Sequence, residues 1–436
     1  MKKLHVLSLF GALLLTSTML MTSCVNDKCK MTFSYMRYSP VYMSPEEFRN
    51  AVQLTGAKDL KHPGKIFAIG NYLYVNEMAK GIHIIDNKDP HNPIKVGFVN
   101  IPGNYDLAIQ DNLLYADASV DLLVFDISSP TQPILANRVI NAFPQMLTYN
   151  GYVADESKGI VVEWAEEKVV EQLPNCEGNI PDLWQRNQVT PQMETATTSN
   201  GHRNQVAAPS GSGKAGSMAR FAVKDKHFYV VLPTTLEVYQ ISGTSVAKAN
   251  SISITDGFSR EAQTIFPYED MLFIGANNGM MIYNAKSPEN PTPISEISHT
   301  SSCDPVVVKG KYAYVTLNNA VENPCQGYAN QLEVINIENP ASPFTAKVYQ
   351  MAEPKGLGID NGTLFVTDGK DGLHIFDANF PENLTDHEIA KFGDMRGYDV
   401  IPFNNLLFFV GQDGIAEYDY SNPQNIQLLS KIPAVK

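Results

Sequence analysis

Short apolar runs alternate with polar turns along most of the chain. Residues 65–99 hold four such runs, Ile66–Ile69, Tyr72–Asn76, Gly81–Asp86 and Ile94–Val99, which are separated by Gly, Asn or Pro. Runs of this length that are rich in Ile, Val, Tyr and Phe predict β-strands joined by tight turns. Residues 65–99 are therefore predicted to form a unit of four strands.

A turn motif recurs with the strands. Asp or Asn is followed by Pro four residues later at six places: Asp86–Pro90, Asp126–Pro130, Asn284–Pro288, Asn336–Pro340, Asp377–Pro381 and Asp419–Pro423. The side chain of Asp or Asn can accept hydrogen bonds from nearby backbone N–H groups, and Pro belongs at a strand end because it cannot donate to a ladder. The motif is predicted to turn the chain between the third and fourth strands of each unit.

The spacing of these units predicts the architecture. Eight units start near residues 65, 105, 145, 219, 262, 304, 356 and 399. A four-stranded unit of about 40 residues is the size of a propeller blade. We therefore expect an all-β fold over residues 63–436, an eight-bladed β-propeller of four-stranded blades. Seven blades is the alternative, if the third and fourth units merge.

Residues 171–217 interrupt this pattern with almost no apolar content. Such a segment buries too little surface to offset the entropy of ordering it, so we expect a mobile insertion in the propeller.

The N-terminal segment resembles a bacterial lipoprotein leader. Lys2 and Lys3 precede an apolar stretch that ends in small residues before Cys24. We expect residues 1–23 to be a signal peptide and Cys24 to carry the lipid, anchoring the chain to the outer-membrane lipid. Val25 replaces the Asp that retains lipoproteins in the inner membrane of enteric bacteria, which favours the outer membrane. Whether the chain faces the periplasm or the cell surface stays open.

Residues 24–62 are predicted to be a lipidated tether that carries one short helix. Ser44, Pro45 and Glu47 form the start signature of a helix over about 45–59. Phe48 and Val52 would lie on one helix face and pack on the propeller edge.

The third strands of several units are similar to one another. Gly81–Asp86, Leu122–Asp126 and Leu332–Asn336 resemble the LVIVD repeat of bacterial cell-surface proteins. The resemblance spans about residues 60–434. It implies a β-propeller on an envelope protein, and it transfers no catalytic residues.

The net charge and the motif content of the chain exclude some classes of function. Lys and Arg number 33 against 46 Asp and Glu, a net charge of −13, so we exclude general nucleic-acid binding. No standard catalytic or metal-binding motif is present, and we expect no catalytic residue, no metal and no cofactor. His83 and His374 occupy equivalent third-strand positions, where packing is the favoured role.

Four cysteines follow Cys24, an even number for an oxidising compartment. Cys303 precedes the inner strand of the sixth unit, and Cys325 lies in a long loop of the same unit. We predict that Cys303 and Cys325 form a disulfide.

Charged residues align where the innermost strands begin. Aligning the units places six of them within one residue of a common register: Lys65, Asp106, Arg220, Asp304, Lys355 and Asp399. In the other two units, the residues aligned with this register are Gln145 and Gln263. Such a rim can recognise a polar ligand, or it can be a solvated rim in which mixed charges balance.

These observations favour a lipid-anchored envelope propeller that binds a protein or glycan without catalysis. The alternative is a hydrolase or lyase that uses the rim carboxylates as acid or base.

Overall fold

The computed structural model describes residues 31–149, 151–173, 213–215, 219–254, 261–298, 305–318 and 329–435. The chain divides into two compact units, residues 1–39 with 165–196, and residues 40–164 with 197–436. In the described ranges, no helix is long and apolar enough to cross a membrane.

The described chain opens with β1 (Met31–Met43), α1 (Pro45–Asn50) and β2 (Gln53–Thr55). The predicted capping box is confirmed, because the Ser44 side chain accepts from the Glu47 backbone N–H and the Glu47 carboxylate accepts from the Ser44 backbone N–H. The helix ends at Asn50 rather than near residue 59, because β2 pairs with the outermost strand of the first blade.

The first two blades follow directly, and each is an antiparallel sheet whose strands run in chain order from the inside outward. Their strands are β3 (Pro63–Ile69), β4 (Tyr72–Glu77), β5 (Gly81–Asp86) and β6 (Ile94–Asn100), then β7 (Leu107–Gln110), β8 (Leu113–Ala118), β9 (Asp121–Asp126) and β10 (Ile134–Val139).

The predicted third unit is not a blade. Its β-rich runs form the two-residue strands β11 (Thr148–Tyr149) and β12 (Tyr152–Val153), which pair with each other, a 3₁₀ turn (Glu156–Lys158), and β13 (Ile160–Leu173), which pairs with β1. No four-stranded sheet forms there among the described residues, so the prediction of eight blades is wrong.

The predicted insertion, 171–217, lies outside the described residues except at its ends. Residues 171–173 complete β13, and residues 213–215 form β14, which pairs with the inner edge of β3.

Five more four-stranded blades complete the propeller, so the described residues form seven and confirm the seven-bladed alternative. The strands of the third and fourth blades are β15 (Phe221–Lys224), β16 (His227–Val231), β17 (Thr235–Ser242), β18 (Ser245–Ser253), β19 (Ala262–Tyr268), β20 (Met271–Ala276), β21 (Gly279–Asn284) and β22 (Thr292–Ser298). Those of the fifth and sixth are β23 (Val306–Lys309), β24 (Tyr312–Leu317), β25 (Gln331–Asn336), β26 (Phe344–Gln350), β27 (Pro354–Asp360), β28 (Thr363–Asp368), β29 (Gly372–Asp377) and β30 (Glu388–Phe392), with a 3₁₀ segment (Pro381–His387) before β30. The seventh has β31 (Asp399–Phe403), β32 (Leu406–Gly411), β33 (Gly414–Asp419) and β34 (Gln427–Pro433).

The recurring turn works as predicted in all six copies. In each, the Asp or Asn side chain accepts a hydrogen bond from the backbone N–H two residues later, at 2.7 to 3.0 Å. The turn fixes the chain between the third strand and the fourth, where the sequence places it.

The seventh blade closes against the first. Leu60 forms a parallel bridge with Ala434, and the Val435 N–H donates to the Leu60 carbonyl at 2.7 Å. Buried side chains of both blades, Val75 and Phe408 among them, form one hydrophobic cluster across this seam. Burial of apolar surface between neighbouring blades is what holds such a fold together.

Candidate functional site

The strand registers show which of the predicted rim residues are equivalent. The second strand of every blade has a central aromatic residue, for example Tyr74 of β4, which pairs with Phe67 of β3. In every blade, the residue two positions before this inner-strand partner is therefore structurally equivalent. Four of the predicted residues occupy this position: Lys65, Asp106, Arg220 and Asp399.

The other predicted residues do not occupy that position. In the sixth blade Gly356 occupies it, and Lys355 lies one residue earlier. A Cβ at position 356 would collide with the Asp399 carboxylate of the next blade, so the close approach of β27 and β31 requires glycine. In the fourth blade Thr264 occupies the position in place of Gln263. Asp304 lies outside the described residues.

Lys65 and Asp106 form a buried ion pair between the first and second blades. The Lys65 Nζ donates to Asp106 Oδ1, and both residues are at most 5% exposed. The Leu107 backbone N–H donates to the same carboxylate oxygen at 2.7 Å. A buried ion pair is held only when its remaining hydrogen-bonding capacity is also used, as it is here.

Arg220 extends the pair to the third blade. Its backbone N–H donates to Asp106 Oδ2 at 3.0 Å, and its Nη2 lies 3.3 Å from Asp117 Oδ2. The other oxygen of Asp117, Oδ1, accepts from Asn104 Nδ2 and from the backbone N–H groups of Tyr105 and Asp106 at 2.7 to 2.9 Å. Two cations and two carboxylates therefore join three blades with no net charge.

Burial shifts the pKa values of the ion pair in this cluster. It lowers the pKa of Lys65 to about 8 and raises the pKa of Asp106, while the opposite charge of each partner opposes the shift. Because the low dielectric penalises both charged forms, each ion is held in place by its partner.

Lys355 and Asp399 lie on the sixth and seventh blades. Lys355 Nζ lies 3.0 Å from Glu353 Oε1 and 5.4 Å from the centre of the Tyr398 ring. Asp399 Oδ1 accepts from the Val400 backbone N–H at 2.9 Å. The structure thus brings together Lys65, Asp106 and Arg220, and it places Lys355 with Glu353.

A cavity of about 220 Å³ lies beside this cluster, between the second and third blades. Asp117 and Arg220 line it together with Gln145. Gln145, predicted to lie on an inner strand, instead follows the second blade in the connection to the third. That connection covers residues 140–220, whereas at the first seam β6 and β7 are joined by residues 101–106 alone.

The first part of the connection is fastened to both blades and forms a fixed wall of the cavity. The Phe143 backbone N–H donates to the Val120 carbonyl at 2.9 Å, and the Tyr239 hydroxyl donates to the Ala142 carbonyl at 2.7 Å. Gln145 Nε2 donates to the Gly159 carbonyl at 3.2 Å.

Sequence reasoning missed a second buried carboxylate that supports this wall. Asp121, which has a fully buried side chain, binds Arg49 of α1 at 3.0 Å and Arg138 of β10 at 3.1 Å, and accepts from the Asn141 backbone N–H at 3.0 Å. Asp121 begins the third strand of its blade, and nothing in the repeat pattern marks it as a residue that would bind two arginines.

The two equivalent histidines pack against carboxylates. His83 Nε2 lies 2.9 Å from Glu77 Oε2 and is completely buried, and His374 Nδ1 lies 2.7 Å from Glu388 Oε1. In the described part of the chain, no three His, Cys, Asp or Glu side chains are arranged to hold a metal ion.

Comparison with protein families finds LVIVD repeats in this chain, at residues 63–101, 104–140 and 301–323. The first two matches cover the first two blades. A search of curated proteins found no match.

Among solved structures, a protein from Lactobacillus plantarum matches with a TM-score of 0.54 and 12% identity, over 86% of this chain and 97% of that one. BamB from Moraxella catarrhalis matches with a TM-score of 0.47 and 8% identity, over 87% of this chain and 99% of that one. At these identities the likeness to the first protein shows the fold alone.

Proposed function

We propose that this chain is a lipid-anchored propeller of the bacterial envelope that binds a protein or glycan without catalysing a reaction. The anchor rests on the leader sequence and on Cys24, which lie outside the described residues. The LVIVD repeats support the envelope location, because such repeats are typical of cell-surface proteins.

One observation supports binding over catalysis. Both carboxylate oxygens of Asp106 already accept hydrogen bonds, from Lys65 Nζ and the backbone N–H groups of Leu107 and Arg220. A general acid or base must exchange a proton with a substrate within hydrogen-bond reach. Asp106 is 1% exposed and serves instead to fasten three blades.

The proposal is tested by capturing partners with the full-length chain from envelope proteins and on a glycan array. We expect specific capture of one class and no change in the captured molecule. Intact-mass measurement of the chain purified from membranes tests the anchor, with a diacylglyceryl adduct on Cys24 as the expected result. A processed chain without lipid would contradict the anchor.

A further inference from the structure

We infer that the cavity between the second and third blades binds one neutral sugar unit. The inference rests on the proposed function and names its ligand class.

The size of the cavity sets the first limit. A volume of about 220 Å³ equals about seven water molecules, which suits a single six-membered sugar ring and excludes a folded peptide segment. Larger glycans would enter through one terminal unit, with the rest of the chain in solvent.

The charges around the cavity set the second limit. The charged side chains that line the cavity are Arg220 and Asp117, whose Nη2 and Oδ2 atoms lie 3.3 Å apart. An anionic ligand that approaches Arg220 also meets Asp117, and a cationic ligand that approaches Asp117 meets Arg220. A neutral ligand avoids both repulsions.

The hydrogen-bond donors and acceptors on the cavity walls restrict the class of ligand further. Among the described residues, the Arg220 guanidinium makes one hydrogen bond, through Nη2, so further N–H donors remain. Asp117 Oδ2 accepts that one bond, and Gln145 Oε1 accepts none from the described residues. Donors and acceptors side by side match hydroxyl groups, each of which donates and accepts at once.

The remaining wall is apolar. Phe143, Met146 and Leu147 line the cavity from the fixed connection. A sugar ring has C–H faces between its hydroxyls, and apolar side chains bury these faces while the polar wall orients the ring.

The test is saturation-transfer NMR on the full-length chain with glucose, galactose, mannose and N-acetylglucosamine, and with benzoate as an anionic probe. We expect at least one sugar to bind and benzoate not to bind. Leu147→Trp, which fills the cavity, should abolish sugar binding. Leu135→Trp makes the same exchange on the exposed face of β10 and should bind as the wild type does.

Gln145→Ala serves as a second variant if Leu147→Trp does not fold, and it should weaken binding about tenfold. Failure of every sugar to bind the wild type, binding of benzoate in their place, or full sugar binding by both variants would overturn the inference. Capture of a glycan that persists in Leu147→Trp would leave the proposed function standing and reject this site. If the wild-type chain captures neither a protein nor a glycan, the proposed function itself is rejected.

Discussion

Arg220 Nη2 lies 3.3 Å from Asp117 Oδ2 and joins the inner strand of the third blade to the second strand of the second blade. With the buried Lys65–Asp106 pair, this contact links three successive blades through charged side chains. The second and third blades, which this contact joins, are also the two blades that the long connection links. The charged contact adds to an apolar cluster between these two blades, in which Tyr115 of the second blade stacks on Phe228 of the third.

Removing one ion from this cluster should destabilise the propeller strongly. Lys65→Met leaves Asp106 buried without its lysine, and loss of one partner from a buried pair costs about 3 to 5 kcal/mol. The measurement is urea unfolding followed by circular dichroism. Lys88→Met, which breaks the exposed pair with Asp86, is the matched control and should cost at most about 1 kcal/mol. Equal losses in the two variants would contradict the fastening role of the cluster.

Glu417 should make stability depend on pH at the seam between the seventh and first blades. It is completely buried, and its Oε2 accepts from Asn87 Nδ2 at 2.9 Å. Burial raises the pKa of Glu417 to about 7 from an ordinary value of 4.5. The folded chain therefore holds this proton more tightly than the unfolded one, so its contribution is full below pH 4.5 and is lost as the pH rises to about 7.

Glu417→Gln removes this titration. Above pH 7 the variant should be more stable than the wild type by up to about 3 kcal/mol, and the difference should vanish near pH 4.5. Unfolding midpoints between pH 4.5 and 8 measure it. A difference between the two proteins that does not vary with pH would show that Glu417 does not titrate in this range.

A tyrosine hydroxyl ties the first blade to the turn of the second. The Tyr74 hydroxyl donates to the Pro130 carbonyl at 3.1 Å, and Tyr229 repeats the contact with Pro288 at 2.9 Å. Tyr74→Phe should cost about 1 kcal/mol, the usual net value of one hydrogen bond. The Tyr72 hydroxyl contacts the surface pair Lys88 and Asp86, so Tyr72→Phe should change stability little. The expectation fails if both variants unfold at the same urea concentration.

The predicted disulfide between Cys303 and Cys325 lies outside the described residues and stays a prediction. Closing a loop of this size should stabilise the fold by about 3 kcal/mol. Alkylation without reduction, followed by mass spectrometry, should leave both cysteines unlabelled, and reduction should lower the unfolding midpoint. Labelling of both without reductant would rule the bridge out.

Local signals in the sequence were sufficient for the repeat itself. Strand limits such as Tyr72–Glu77 and Gly81–Asp86, and the Asp126 turn, follow from alternation, from Gly and Pro and from the capping oxygen, all of which act within a few residues. These features do not require knowledge of distant partners. They were therefore predicted almost to the residue.

The eighth blade was predicted wrongly because β-forming runs do not specify their pairing partners. Residues 146–170 have the alternation of a blade, yet β13 pairs with β1, which lies more than a hundred residues earlier. The rim residues were predicted only in part, because the sequence likewise does not show how neighbouring blades pack. Lys65, Asp106 and Arg220 lie at one register position in consecutive blades, whereas the need for Gly356 beside Asp399 arises only from the packing of two blades.

The central claim, that this propeller binds without catalysis, is tested most directly on the ligand itself. The glycan or envelope protein captured by the full-length chain is incubated with it, recovered and weighed by mass spectrometry, in parallel with Asp106→Asn. We predict that the ligand keeps its full mass with both proteins. A shorter or modified product that forms with the wild type, whether or not it also forms with Asp106→Asn, would contradict the account and establish an enzyme.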